Sequence, residues 1–370
     1  MYATLLRRLA DFEPVDAPVL SIYLDMRPHA VGGRPALRDD VLRLGDRLRQ
    51  IEKTFGPRGP DLDSFRADAA RIETYLRDHY PAAAHGVAIF ACSATNLFEV
   101  IEAGVSFEFQ VSINNAPDLF QLARFVDDEE TAVVAIVDTN TVRLFVVRGG
   151  FVDEHEGLDE GGPHFHKTRL GGLNVARYQR HVEKHRTDFA REAAAEIALL
   201  VEREGASRVI LAGNQVALPL LRNALSPRVL ELEHGGARGL NLEVTRDVVV
   251  DEIAPILARA EAESERAIAD QLVDAVRADA LGVAGLEDTL QALEHAQVDV
   301  LVLVGTAPLD ADTRANLVRL AVITGADVEV IEAHDVLERL GGIGALLRFR
   351  HEAPAAVELS AEDAQPSHDN

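Results

Sequence analysis

Apolar and polar residues follow two periods along this chain, and each period predicts one type of element. Apolar residues at helical spacing predict helices at 5–12, 37–55, 65–76, 175–204, 216–225, 248–280, 286–295 and 312–324. Alternating or short, continuous apolar runs predict strands at 19–24, 86–92, 97–101, 107–111, 131–138, 141–148, 208–211, 240–244, 298–304 and 327–331. Residues 149–174 are predicted to be a loop, and 340–350 form the last ordered segment.

The order of these elements predicts an α/β (α+β) protein of three domains, each a small mixed sheet covered by helices. We expect an N-terminal α/β domain at 1–128, a middle domain at 129–265 and a C-terminal α/β/α domain at 266–352. The helix predicted at 248–280 carries the chain from the second domain into the third. Residues 353–370 are rich in Ala, Glu, Asp, Pro and Ser, and are predicted to form a disordered acidic tail.

Composition restricts the kinds of partner. The formal net charge of −24 argues against a protein that coats itself with nucleic acid, so we expect no DNA binding and only local RNA contacts. The single cysteine, Cys92, has no partner for an internal disulfide, and the N-terminus has no apolar signal segment. Because no apolar run approaches the roughly 18 residues of a membrane span, the sequence predicts a cytoplasmic protein without membrane contact.

One window departs sharply from the acidic average. Residues 164–186 contain six cations and one carboxylate, Glu183, which gives a local net charge of +5. The cations are Lys167, Arg169, Arg177, Arg180, Lys184 and Arg186. The glycine pair Gly171 and Gly172 would let the backbone approach a crowded target closely. On a helix, Arg177, Arg180 and Lys184 share one face, so the window predicts a basic loop tip followed by a basic stripe suited to RNA phosphates. The other interpretation is a solvated helix face behind a flexible loop.

This window resembles the middle domain of the archaeo-eukaryotic class I peptide-chain release factors. That family has a loop of the form Lys-x-Arg-x-Gly-Gly-Gln before a long helix, and this chain reads Lys-Thr-Arg-Leu-Gly-Gly-Leu at 167–173. Further likenesses lie in Arg177-Tyr178 at the start of the helix, in the strand that ends at Gly213, and in 84–93, 286–303 and 324–350. The resemblance runs through nearly the whole chain in order. It implies the three-domain release-factor architecture, in the form of a bacterial relative of the family.

Two departures limit what the resemblance implies. Leu173 stands where the family has its glutamine, so the side-chain amide associated with hydrolysis of the peptidyl-tRNA ester is absent. Asn174, one residue later, substitutes only if the loop shifts register. The family's Asn-Ile-Lys-Ser codon reader has no counterpart at 34–50. Stop-codon termination is therefore not expected.

The resemblance implies a ribosome-associated translation factor in hibernation, rescue or quality control, which binds the A site and peptidyl-transferase region. Its implied partners are 23S ribosomal RNA, the tRNA acceptor end and a translational GTPase at the C-terminal domain, with no cofactor. Two alternatives stay open. One is a peptidyl-tRNA hydrolase or tRNA-cleaving enzyme in which backbone amides at Gly172 and Leu173 position water. The other is a protein adaptor on the same fold that binds no RNA.

The histidines of the window raise the question of a metal. His181 and His185 are spaced i, i+4, as zinc ligands on a helix often are, and His164 and His166 lie nearby. No carboxylate or cysteine is placed to complete such a site, so we expect no metal.

Overall fold

The structure is a computed structural model. It describes residues 2–27, 30–31, 34–35, 39–79, 84–127, 131–159, 172–237 and 239–350, with the backbone alone at 30–31, 34–35, 39 and 172–179.

The N-terminal part of the chain forms a four-stranded antiparallel sheet in the order β5-β4-β1-β6. Its elements are α1 (Tyr2–Ala10), β1 (Val19–Asp25), the short pair β2 (Ala30–Val31) and β3 (Arg34–Pro35), α2 (Asp39–Glu52), α3 (Pro60–Asp78), β4 (Gly86–Cys92), a 3-10 turn (Ser93–Thr95), β5 (Leu97–Ala103), β6 (Gln110–Asn114) and α4 (Phe120–Asp127). Both faces of β1 are buried. Leu20, Ile22 and Leu24 pack with α2 and α3, whereas Tyr23 points to the other face and meets the rings of Phe90 and Phe107 edge-on.

The middle part forms a second four-stranded sheet, in the order β10-β7-β8-β9, with only β10 and β7 parallel. Its elements are β7 (Ala132–Val137), β8 (Val142–Arg148), β9 (Phe151–His155), α5 (Gly172–Glu204), β10 (Arg208–Gly213), α6 (Ala217–Ala224) and α7 (Pro227–Glu231). Alternate residues of β7 point to opposite faces, so that Val133 packs with α5 and α6 while Val134 packs with the helix that follows. This face-by-face burial explains the continuous apolar run at 131–138.

The third part begins with a long helix and forms a sheet in the order β11-β14-β12-β13. Its elements are α8 (Arg246–Arg277), β11 (Gly282–Ala284), α9 (Leu286–Glu294), β12 (Val298–Val304), α10 (Ala311–Thr324), β13 (Asp327–Ile331), α11 (Asp335–Arg339) and β14 (Ile343–Leu347). The first half of α8 covers the middle sheet through Val249 and Ile253, and its second half covers the third sheet through Leu272 and Val273. One helix therefore belongs to two cores.

The first and third parts share one hydrophobic core. Apolar residues of α1 and α4 and of α10 and β13 belong to a single buried cluster. Polar contacts reinforce it, because Arg319 Nη2 donates to the carbonyl of Phe12 at 3.3 Å and the Arg314 guanidinium lies 4.0 Å over the ring of Phe120. The first and third parts thus form one packed body. The three sheets fall within the ranges expected for three domains, whose boundaries stay a prediction.

Several predicted elements need correction. The predicted loop at 149–174 contains strand β9, and α5 begins at Gly172 rather than at 175. The strand predicted at 240–244 is absent from these described residues, because Arg143 Nη1 takes the carbonyls of Leu242 and Val244 at 2.7 and 2.8 Å. The apolar residues there pack without joining a sheet.

The strand predicted at 107–111 lies later, at Gln110–Asn114. The side-chain amide of Gln121 bonds to both backbone groups of Glu108: it accepts from the N–H at 2.9 Å and donates to the carbonyl at 3.0 Å. The backbone of Glu108 therefore bonds to Gln121, and the ladder with β1 ends at Gln110. Strand β11 and helices α7 and α11 are too short to carry a clear period and were not predicted. Helix α4 was also not predicted, although its buried Phe120 and Ala123 stand at helical spacing.

Candidate RNA-binding helix

Helix α5 carries the basic window, and its two halves differ in burial. The half nearer its C-terminus packs on the middle sheet through Phe189, Ala193, Ile197 and Leu200, which recur at helical spacing. From Arg180 to Asp188 no side chain is buried. The 17 helical residues from Gly172 to Asp188 rise by roughly 25 Å at about 1.5 Å per residue. The basic half of α5 therefore contributes no fully buried side chain between Arg180 and Asp188, unlike the half that anchors the helix.

The helix brings three of the predicted RNA contacts onto one face. Because 172–204 is helical throughout, Arg177, Arg180 and Lys184 stand at i, i+3 and i+7. The side chains of Arg180 and Lys184 are exposed, while at Arg177 the backbone alone is described. His181 falls within the same face and is also exposed. We call Arg177, Arg180, His181 and Lys184 the basic stripe.

Ion pairs hold two arginines near the C-terminal end of α5, whereas Lys184 differs from them. Toward the C-terminal end, Arg191 pairs with Asp188 at 2.8 Å and Arg203 pairs with Glu204 at 2.9 Å. The pair with Arg203 lowers the pKa of Glu204. Lys184 forms no ion pair with any described residue. The stripe therefore keeps a cation that an anionic partner can reach.

Arg186 lies apart from the stripe. It is nine residues beyond Arg177, which at about 100° per residue places it on the opposite side of the helix. Its half-buried side chain lines a small recess with Asp138, Phe189 and Leu220. The structure does not bring Arg186 together with the stripe, and its RNA contact stays a prediction.

Part of the predicted site lies outside the described residues. This applies to Lys167, Arg169, Gly171, His164 and His166, and also to the predicted acidic tail at 353–370. Gly172 and Leu173 are described as the first backbone positions of α5. The first N–H groups of any helix have no intrahelical acceptor, so these two amides begin the helix as available donors.

The described residues were compared with the ligand groups that a metal ion requires. There, no group of three or more His, Cys, Asp and Glu side chains is arranged to hold an ion. Within the same part of the chain, no helix combines the length and the apolar character needed to cross a bilayer.

Strand β10, next to the anchored half of α5, ends at a position that requires glycine. Gly213 has a φ of +117°, and a Cβ there would meet the carbonyl oxygen of Val137 on the neighbouring strand. The residue after it, Asn214, donates its N–H to that same carbonyl at 2.8 Å. The glycine that ends this strand is thus fixed by close backbone approach.

Comparison with known proteins places this middle unit in a family. Residues 131–279 match the family model described as Bacterial archaeo-eukaryotic release factor family 2. The matched range contains the middle sheet, the basic helix and α8. Over this range the chain is similar to the bacterial archaeo-eukaryotic release factors, which agrees with the resemblance found in the sequence.

Solved structures give weaker likenesses over most of the chain. The archaeal translation termination factor aRF1 is 18% identical with a TM-score of 0.28, covering 94% of this chain and 97% of that one. A model of ribosome-bound archaeal Pelota and ABCE1 is 13% identical with a TM-score of 0.45, covering 95% and 94%. Dom34 of S. cerevisiae, a translation termination-like factor that interacts with Hbs1, is 11% identical with a TM-score of 0.40, covering 72% and 80%. No curated protein sequence matches the chain significantly.

Proposed function

We propose that this protein is a ribosome-associated factor that contacts ribosomal RNA or the tRNA acceptor end through the basic stripe of α5. The observation that carries the proposal is the face of α5 on which the side chains of Arg180 and Lys184 are both exposed to solvent. Phosphate contacts need local positive charge, and this face supplies it in a chain of net charge −24. The release-factor family match supports the ribosome as the source of that RNA.

The role we favour is hibernation, rescue or quality control at the A site and peptidyl-transferase region. Leu173 occupies the position of the family's glutamine, and the region at 34–50 has no codon reader. Both features argue against stop-codon termination. A translational GTPase bound to the C-terminal unit remains part of the proposal by family resemblance alone.

Co-sedimentation with purified ribosomes tests the proposal. The test variant carries Arg180→Glu and Lys184→Glu, whose side chains are exposed on the stripe. The matched control carries Arg277→Glu and Arg339→Glu, two exposed arginines of the C-terminal part, with the same change in net charge. We expect the stripe variant to bind at least about tenfold more weakly and the control to bind within about twofold of the wild type.

Two results would contradict this proposal. Equal weakening by both variants would indicate a response to net charge alone, and absence of ribosome binding by the wild type would remove the interface. Wild-type binding should also weaken steeply as salt rises from about 50 to 200 mM, because phosphate contacts release counterions. Salt-insensitive binding would favour the protein adaptor.

One observation supports the alternative that the protein hydrolyses peptidyl-tRNA. Helix α5 begins at Gly172, so the amides of Gly172 and Leu173 are donors without an intrahelical acceptor. Such donors can orient water or stabilise an oxyanion without a glutamine side chain. Release of peptide from peptidyl-tRNA on stalled ribosomes would support hydrolysis, and bound but intact peptidyl-tRNA would exclude it.

A further inference from the structure

A large cleft lies where the N-terminal unit faces α8 and the middle sheet. Its volume is about 1130 Å³, which exceeds the roughly 300–1,000 Å³ of small-molecule pockets. Val105 and Phe109 are accessible apolar side chains of one wall, and Leu257 is one of the opposite wall on α8. The size and apolar walls fit a segment of polypeptide better than a metabolite.

The α8 wall has a regular surface. Ala254, Ala258 and Ala262 recur every four residues, all are exposed, and all line the cleft. A row of small side chains along the i±4 direction leaves a shallow groove into which side chains of a second helix can pack. With a helix diameter of about 10–12 Å, the cleft volume holds roughly two turns.

Charged residues at the edge of the cleft determine which sign of charge a ligand should carry. Four arginines and six carboxylates line it, which gives a net charge of −2. Three arginines already pair within the cleft, Arg27 with Asp25, Arg43 with Asp40 and Arg208 with Glu261, at 2.5, 2.9 and 3.0 Å. The carboxylates that form no ion pair with any described residue are Glu108, Glu265 and Glu332.

The carboxylate of Glu265 lies next to the backbone of Glu332, since Glu265 Oε2 accepts the N–H of Glu332 at 3.1 Å. Carboxylates without an ion pair beside an apolar groove favour a ligand that is both cationic and apolar. The same charge disfavours nucleic acid, whose phosphates would meet uncompensated carboxylates.

We propose that this cleft binds a short amphipathic basic helix of a partner protein, with its apolar face on the alanine row and its cations on Glu265 and Glu332. The inference is independent of the RNA-binding stripe. It assigns the protein two surfaces of opposite sign, a cationic one for RNA and an anionic one for a basic protein segment.

Fluorescence anisotropy with a defined probe tests the inference. The probe is a labelled helical peptide of leucine and lysine, about twelve residues long, and a leucine–glutamate peptide of the same pattern is its charge control. Two variants alter the cleft, Glu265→Lys with Glu332→Lys, and Ala258→Trp, which fills the groove without changing charge. The matched control is Glu287→Lys with Glu294→Lys, on the exposed surface of α9.

We expect saturable binding of the lysine peptide, loss of at least about tenfold in affinity in both cleft variants, and a change within about twofold in the control. Circular dichroism establishes that each variant is folded. No saturable binding, equal weakening in the α9 control, or equal binding of the glutamate peptide would overturn the proposal. Binding of a labelled RNA oligonucleotide that Ala258→Trp abolishes would overturn it in favour of RNA.

The stripe variant distinguishes this inference from the proposed function. Arg180→Glu with Lys184→Glu should leave peptide affinity within about twofold of the wild type while it impairs ribosome binding. Loss of peptide binding in that variant would show that the peptide does not recognise the cleft.

Discussion

The junction between the N-terminal and middle units depends on three glycines, and their substitution gives a sharp test of the fold. Gly104 follows β5, and Gly149 and Gly150 form the turn between β8 and β9. The N–H of Gly104 donates to the carbonyl of Gly149 at 2.8 Å. A Cβ on Gly104 would lie 2.6 Å from both the carbonyl oxygen of Gly150 and the amide nitrogen of Phe151, and a Cβ on Gly150 would lie 2.5 Å from the carbonyl carbon of Gly104.

The cost of Gly104→Ala follows from that geometry. Because carbon atoms normally approach to about 3.5–4.0 Å, the added methyl group forces the two backbones apart by roughly 1 Å. Overpacking of this kind costs about 1–3 kcal/mol, and the lost hydrogen bond about 1 kcal/mol. We therefore expect the free energy of unfolding to fall by roughly 2–4 kcal/mol.

Two further substitutions separate steric clash from backbone strain. Gly205 has a φ of +62°, and no atom lies within 4 Å of the place that a Cβ would take, so Gly205→Ala introduces strain without a clash. A left-handed residue with a Cβ costs about 1–2 kcal/mol, part of which is offset by the lower entropy of the unfolded chain. Gly150 combines a φ of +81° with the clash, so Gly150→Ala should be the most destabilising of the three.

Urea unfolding followed by far-UV circular dichroism measures these differences, and small-angle X-ray scattering measures the separation of the units. The reasoning requires the order Gly150→Ala, Gly104→Ala, Gly205→Ala from most to least destabilising. If Gly104→Ala cost no more than Gly205→Ala and left the scattering profile unchanged, the close contact of the two units would be refuted.

Two more predictions concern buried polar groups of the N-terminal unit. Burial raises the pKa of Asp118, so its contribution to stability is full below the unfolded pKa of about 3.9 and is lost as pH rises through the folded value. In urea unfolding at acidic and neutral pH, Asp118→Asn should therefore lose less stability than the wild type as pH rises. An unchanged pH dependence of the free energy of unfolding would count against this prediction. Tyr23→Phe removes a buried donor that lies 2.7 Å from the carbonyl of Asp118 and should cost about 1–2 kcal/mol, whereas Tyr75→Phe, which loses a bond to the exposed Glu102, should cost less than about 0.5 kcal/mol by the same measurement.

Elements with a strong period of their own were predicted closely from the sequence. Strands at 86–92, 298–304 and 327–331 have the predicted bounds. The strand at 86–92 is a short apolar run buried on both faces, and that at 327–331 alternates buried Val328 and Val330 with more exposed polar residues. The basic window and the helix that carries it were equally visible, since charge and helical spacing are local properties of the chain. The exposure of Arg180 and Lys184 follows from the same spacing.

Other features depend on contacts between residues far apart in the chain. Strand β9 has no fully buried side chain and becomes a strand by pairing with β8. The apolar alternation at 240–244 predicted a strand, but the guanidinium of Arg143 takes the carbonyls that a neighbouring strand would need. Local periodicity indicates which side chains are buried, but it does not indicate which group will hydrogen-bond to the backbone N–H and carbonyl groups.

The sequence by itself determined the α/β elements, the family resemblance and the cationic half of α5, because each depends on residues close together in the chain. Tertiary structure alone decided the shared core of the first and third parts, the separation of Arg186 from the stripe, and the acidic cleft beside α8. Each of these depends on which surfaces meet after folding. That choice is made by the summed burial of many distant side chains and leaves no local pattern in the sequence.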